Sequence, residues 1–136
     1  MDSLAPISEL PPLRGFGTRA GDLQVDLSAA PPRAITELLA CCSTPEADRE
    51  ALWELPVGRR IEGLLAVLAL SGTAELDVDL HCAGCGASFE VTLAVEELLR
   101  AGEGSGDKTV PVPMEGGIRW FRRPTGRDQL DRKSVV

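Results

Sequence analysis

The order of hydrophobic and polar residues divides the chain into a helical half and a β half. Apolar residues three and four positions apart, the spacing of one helix face, are clearest from Gly58 to Ser71. Gly72 follows and supplies the left-handed residue that commonly ends a helix. Two shorter helices are predicted upstream, over residues 31–41 and 44–55, because proline at the start of each suits a first helical turn.

The second half of the chain has a period of two, which is typical of β-strands. Apolar and polar residues alternate over residues 75–80 and again over residues 89–95. These two runs predict an antiparallel hairpin whose tip is the sequence Cys-Ala-Gly-Cys-Gly, residues 82–86. Residues 110–113 and 118–121 predict a second small hairpin, in which two prolines confine the first strand to an edge.

The N-terminal segment has a different composition. Residues 1–31 are rich in proline, glycine and serine and contain one alternating stretch, residues 23–27, that predicts a short strand. We interpret residues 1–31 as an extended N-terminal arm and residues 32–136 as a single domain, since the total of 136 residues fits one folding unit. The predicted fold class is α+β, with short N-terminal helices followed by the Cys-x-x-Cys-Gly hairpin and the second small hairpin.

Charge and hydropathy exclude several classes of partner. The net charge of −7 opposes the phosphate neutralisation on which nucleic-acid binding depends, so no nucleic-acid partner is expected. The longest apolar stretch, residues 63–70, is far shorter than the roughly 20 residues that cross a bilayer. Residues 1–10 have no basic start and no apolar centre, so no secretory signal is expected either. We therefore expect cytoplasmic synthesis without membrane insertion.

The cysteine turn is the clearest candidate site. Cys82 and Cys85 have the spacing at which two thiolates bind one zinc ion, and Gly86 permits the positive φ that such a turn needs. A closed zinc site needs four ligands, however, and the chain has no second Cys-x-x-Cys. A mixed site with Cys41 or Cys42, a reduced pair kept as a tight turn, and a redox role stay open, although a redox pair normally precedes a helix.

The remaining chemistry favours binding over catalysis. His81 is the only histidine, and the glycine-rich stretches lack the Gly-Lys-Ser/Thr ending of a phosphate-binding loop. We therefore expect neither an enzyme nor a small-molecule substrate. Arginines beside aromatic residues are enriched at protein interfaces, and one such cluster predicts a partner surface. Its residues are Arg119, Trp120, Phe121, Arg122, Arg123 and Arg127.

The order of these features resembles the baseplate-hub protein family of contractile phage tails and related contractile injection systems. The resemblance lies in an acidic helix start (residues 46–50), a leucine-rich helix (residues 58–70), a strand that reaches Cys-x-x-Cys-Gly, and a second strand (residues 89–95). Downstream, residues 120–128 are similar to the family's Arg-x-Pro-Thr-x-x-Asp segment. Family members commonly continue into a second Cys-x-x-Cys, so this chain resembles a shortened member.

The resemblance implies a structural subunit of the baseplate, in contact with other baseplate, tube or spike proteins and incorporated into a phage-like particle. It implies no catalytic residues, and it carries over only Cys82 and Cys85 as zinc ligands. The alternative interpretation is a small zinc-ribbon-like cytoplasmic adaptor or regulator that binds a protein partner.

Overall fold

The computed structural model describes residues 10–102 and 109–131. A short 3-10 helix, Ala20–Gln24, precedes the regular elements. These are α1 (Pro31–Cys42), α2 (Arg49–Trp53), α3 (Val57–Leu70), β1 (Glu75–His81), β2 (Ser88–Ala94), α4 (Val95–Ala101), β3 (Thr109–Met114), β4 (Gly117–Arg122) and α5 (Gly126–Asp131). The α+β class and both hairpins are confirmed. The predicted loop at residues 102–108 lies, apart from Gly102, outside the described residues.

The hydrophobic core is built by helices. Its buried residues come from α1, α2, α3 and the α2–α3 connection: Leu38, Leu39, Ala40, Cys42, Leu52, Leu55 and Val67. Gly63 lets α3 lie close to α1 and to the N-terminal segment. A Cβ at this position would be 2.9 Å from a methyl group of Leu39 and 3.0 Å from a methyl group of Leu10. The helices therefore bury their apolar faces mainly against one another.

The described part of the predicted N-terminal arm packs against this core. Leu10, Leu13 and Phe16 contact the core cluster. The Arg14 N–H donates to the Cys42 carbonyl at 2.8 Å, and the Thr44 N–H donates to the Pro12 carbonyl at 2.9 Å. Residues 10–16 are therefore held against the helices, whereas residues 1–9 lie outside the described part of the chain.

Two local predictions near this segment are wrong. The short strand at residues 23–27 does not form, because Ala20–Gln24 is a 3-10 helix around the buried Asp22. The second helix does not begin near Thr44, which bonds to the N-terminal segment instead. It begins at Arg49, where the Asp48 carboxylate accepts the Glu50 N–H at 3.3 Å.

The two hairpins form separate two-stranded sheets. In the first, Leu76 pairs with Leu93, Val78 with Val91 and Leu80 with Phe89, so these six residues share one face. This face is half-buried near α4 and exposed at the tip, at Leu80 and Phe89. In the second hairpin every residue except Val110 is exposed. The described strands thus lie outside the buried core.

Among the described residues, no helix is long and apolar enough to cross a membrane.

Candidate metal and contact sites

The tip of the first hairpin is a closed turn. The Cys82 N–H donates to the Ala87 carbonyl at 2.9 Å, and the Gly86 N–H donates to the Cys82 carbonyl at 2.8 Å. Gly86 has a φ of +74°, as the spacing predicted for the residue after the second cysteine. Both Cys82 and Cys85 are free thiols exposed to solvent. The turn therefore presents two sulfur atoms outward from the end of β1 and β2.

Backbone donors stabilise a negative charge on the first of these sulfur atoms. The N–H groups of Cys85 and Gly84 and the Cys85 thiol hydrogen-bond to the Cys82 thiol and lower its pKa. Zinc binds the thiolate form of cysteine, so this arrangement favours metal binding. Within the described residues, however, no three His, Cys, Asp or Glu side chains converge to hold a metal ion. The turn supplies at most half of a four-ligand zinc site.

The other two cysteines do not complete this site. The Cys41 thiol donates to a carboxylate oxygen of Asp22 at 3.0 Å, and burial raises its pKa to about 11. Cys42 is fully buried in the core. Both residues therefore serve the packing of α1, and the described residues do not bring either of them together with the cysteine turn. The Cys-x-x-Cys pair joins two strands rather than opening a helix, which removes the helix dipole on which a thioredoxin-like pair depends.

These pKa shifts predict an order of thiol reactivity. We expect iodoacetamide at pH 7.5 to alkylate Cys82 before Cys41 and Cys42, since the thiolate reacts, the exposed Cys82 has a lowered pKa, and burial raises the pKa of the other two. Peptide mapping by mass spectrometry over a time course measures the order. Alkylation in 6 M guanidinium chloride is the control, in which the four rates should converge. Labelling of Cys41 before Cys82 in the native protein would contradict the exposure of Cys82 and the hydrogen bond between Cys41 and Asp22.

The single histidine lies on the hairpin beside the cysteine turn. Its Nδ1 is 2.9 Å from the Ser88 hydroxyl, directly across the two strands. By strand alternation it shares a face with Asp77 and Asp79. Within the described residues, the Ser88 hydroxyl is the side chain that hydrogen-bonds to His81, and this pair lies on the exposed surface of the hairpin.

The structure divides the predicted partner surface into two groups. Arg119, Trp120 and Phe121 are exposed on β4. Arg122 forms an ion pair with Asp128 at 2.6 Å, and Arg127 forms ion pairs with Glu50 and Glu54. Arg123 is half-buried, and its Nε has no hydrogen-bond partner among the described residues. The strand residues are thus available to a partner, while Arg122 and Arg127 also hold α5 in place.

The Arg-x-Pro-Thr-x-x-Asp segment forms a capped helix start. The Thr125 hydroxyl accepts the Asp128 N–H at 3.3 Å, and the Asp128 carboxylate accepts the Thr125 N–H at 2.8 Å. This reciprocal pair is a capping box at the start of α5. Arg122 and the Thr125 N–H lower the pKa of Asp128 to about 2. The first and last residues of the motif therefore bond to each other.

A depression with a volume of about 770 Å³ lies beside Asp22 and Cys41. Four of its charged side chains are paired: Arg14 binds Asp22 at 2.7 Å, and Arg49 binds Glu37 at 2.8 Å. Sequence reasoning missed these pairs because no local pattern marks residues eight or twelve positions apart as partners. They connect elements of the fold.

Comparison with protein-family models, with curated proteins and with solved structures finds no match to this chain.

Proposed function

We propose that this chain is a non-enzymatic assembly subunit in the baseplate of a phage-like contractile particle. It would be made in the cytoplasm and incorporated by contacts with other baseplate, tube or spike proteins. The observation that carries the proposal is the second hairpin, which leaves large apolar side chains uncovered. Trp120 and Ile118 are 67% and 66% exposed, and Met114 and Phe121 are nearly half exposed. Ile118 and Trp120 share one face of the hairpin, and exposed apolar side chains grouped in this way are typical of a surface that another protein covers.

The motif that resembles the baseplate-hub family supports the same proposal. Arg122, Thr125 and Asp128 form one bonded unit, and the Val57 N–H donates to the Pro124 carbonyl at 2.9 Å. This unit fixes the base of the second hairpin to the helical core. A fixed base presents β4 in one orientation, which suits a protein that fits among several neighbours.

Co-sedimentation tests this proposal. We expect the chain, co-expressed with the proteins encoded beside it, to sediment with sheath, tube or spike proteins. The double substitution Ile118→Ser and Trp120→Ser should abolish this association without lowering thermal stability, because both side chains are exposed. Leu23→Ser is the matched control, since Leu23 is 90% exposed outside the hairpins and should not matter. Neighbouring genes of purely metabolic type, or unchanged sedimentation of the double variant, would contradict the proposal.

The cysteine turn favours a second candidate function, a small zinc-ribbon-like adaptor or regulator. Here the specific observation is that two exposed free thiols, Cys82 and Cys85, lie in one turn closed by the Gly86 N–H, which donates to the Cys82 carbonyl at 2.8 Å. If zinc is bound, substitution of Cys82 and Cys85 by serine should remove it and lower the melting temperature, because the metal-binding free energy contributes to folding. His81→Gln, at the adjacent strand end, is the control that should retain zinc. Mass spectrometry of the native protein and thermal unfolding measure both effects, and an adaptor would form no particle.

A further inference from the structure

The two outer edges of the second hairpin differ in their hydrogen-bonding groups. Met114 pairs with Gly117 across a two-residue turn, so this closing pair is hydrogen-bonded. Alternate pairs in an antiparallel ladder are hydrogen-bonded, which places the inward-facing N–H groups of β3 at Val110, Val112 and Met114. The outward positions are therefore residues 109, 111 and 113 on β3 and residues 118, 120 and 122 on β4.

Proline occupies two of the three outward positions on β3. Pro111 and Pro113 have no N–H, so a further strand on that side would find a donor only at Thr109. No proline lies at the corresponding positions of β4, where Ile118, Trp120 and Arg122 each direct an N–H and a carbonyl outward. No described strand pairs with this side of β4. The hairpin thus has one blocked edge and one open edge.

The side chains along the open edge indicate the chemistry of its partner. By alternation, Ile118 and Trp120 lie on one face, and Arg119 and Phe121 lie on the other. Arg119 is exposed, and no described carboxylate forms an ion pair with it. A strand laid beside β4 would place apolar residues next to Trp120 and acidic residues next to Arg119. A second copy of β4 is disfavoured as the partner, because it would bring a second Arg119 and has no acidic residue to place beside the first.

We propose that the outer edge of β4 binds an extended acidic segment of another protein, with alternating acidic and apolar residues, as an added third strand. This inference rests on the proposed function, since it names the partner of the same hairpin. Main-chain hydrogen bonds to residues 118, 120 and 122 supply affinity. Trp120 and Arg119 select the pattern of the bound segment.

A heptapeptide of alternating glutamate and valine, with blocked ends, is the probe. NMR titration of the full chain should show binding at least about 10-fold tighter than that of the matched lysine–valine peptide. The comparison is stringent, because the net charge of −7 attracts the basic peptide and repels the acidic one. The largest shifts should occur at the amides of residues 118–122. Equal binding of both peptides, or no binding, would overturn the proposal.

Proline substitution separates the two edges. Ile118→Pro removes one outward donor from β4 but none of its bonds to β3, so it should weaken binding of the acidic peptide at least about 10-fold. Thr109→Pro is the matched control, because it removes an outward donor from the edge that is already blocked. Circular dichroism verifies that both variants fold. An equal loss in both would contradict the proposal, as would self-association of the native chain that Ile118→Pro abolishes. If Ile118→Pro leaves co-sedimentation with particle proteins unchanged, the edge inference fails and the proposed function stands.

Discussion

Replacement of Arg60 by alanine is expected to lower the free energy of unfolding by about 3 to 5 kcal/mol, because it removes a buried cation and leaves a cavity. Arg60 is 1% exposed and donates to the Leu52 carbonyl at 2.8 Å and to the Pro32 carbonyl at 2.6 Å. Its guanidinium carbon lies 5.0 Å from the centre of the Trp53 ring. One side chain thereby joins α1, α2 and α3.

Arg60 keeps its charge although it forms no ion pair with a described carboxylate. Burial lowers its pKa to about 10, which is still well above neutral pH. Carbonyl oxygens and the face of Trp53 take the place of a carboxylate partner. Arg60→Met retains most of the volume and none of the donors, so its stability should lie between that of the alanine variant and the native protein. Native stability in Arg60→Met would show that the hydrogen bonds contribute nothing net.

Gly126 tests the same contact from α5. A Cβ at Gly126 would lie 2.4 to 2.6 Å from three guanidinium atoms of Arg60. The guanidinium group cannot move away without losing its hydrogen bonds to the Leu52 and Pro32 carbonyl oxygens. Gly126→Ala should therefore cost about 1 to 3 kcal/mol in the native protein and less than about 0.5 kcal/mol in the Arg60→Ala background. Gly58→Ala, in open space on α3, is the control and should be neutral. Urea denaturation of the single and double variants gives the coupling free energy between positions 60 and 126. If the two losses of stability were additive, the contact between Gly126 and the Arg60 guanidinium would be contradicted.

Local pattern predicted much of the fold. The hairpins follow from alternation and from turn residues, and their partners are close in the chain, so Leu80 and Phe89 pair as the pattern indicates. Residues 58–70 were predicted as a helix for the same reason, since their spacing is a local property. The exposure of the hairpins was not predicted, because alternation shows which side chains share a face but not what covers that face.

Long-range contacts limited the prediction of the candidate sites. Arg127 follows the aromatic residues and carries the same charge as Arg119, yet it bonds to Glu50 and Glu54, more than 70 residues earlier. Nothing in the sequence near Arg127 distinguishes it from the exposed Arg119. Arg60 likewise looks like a surface residue in a Gly-Arg-Arg sequence until its distant carbonyl acceptors are known. Sequence alone identified the cysteine turn because the residues that shape it, Cys82, Cys85 and Gly86, lie within five consecutive positions.

Substitution of Asp22 by asparagine is expected to lower the melting temperature by on the order of 10 °C at pH 7. Asp22 is 2% exposed, and its carboxylate binds both guanidinium nitrogens of Arg14 at 2.7 and 3.0 Å. It also accepts the Cys41 thiol and the N–H groups of Gly17, Thr18 and Arg19, at 2.7 to 3.2 Å. An asparagine side chain would replace one carboxylate oxygen by an NH₂ group, which would face N–H or S–H donors and could accept none of their hydrogen bonds. The N-terminal segment would then lose its attachment to α1.

The same carboxylate predicts a pH dependence of stability. Arg14, the Cys41 thiol and the backbone N–H groups hold the pKa of Asp22 well below its ordinary value, which is about 3.9 in an unfolded chain. A carboxylate with a lowered folded pKa stabilises the protein fully above the unfolded pKa, and this contribution is lost as the pH falls from about 4 through the folded pKa. The native protein should therefore lose stability more steeply than Asp22→Asn between pH 5 and pH 2.5.

Thermal unfolding of the native protein, of Asp22→Asn and of Asp26→Asn across this pH range measures the difference. Asp26 is the matched control, because it is an exposed aspartate in the same segment that bonds only to its neighbour Ser28, so its replacement should shift the melting temperature by about 2 °C or less. The gap between the native protein and Asp22→Asn should narrow as the pH falls, since the unfolded native chain takes up a proton at Asp22 in this range while the folded carboxylate stays charged. Parallel curves for the two proteins would show that Asp22 is not the group that fixes the N-terminal segment. The attachment of this segment would then rest on the apolar contacts of Leu10, Leu13 and Phe16 and on the backbone hydrogen bonds of Pro12 and Arg14.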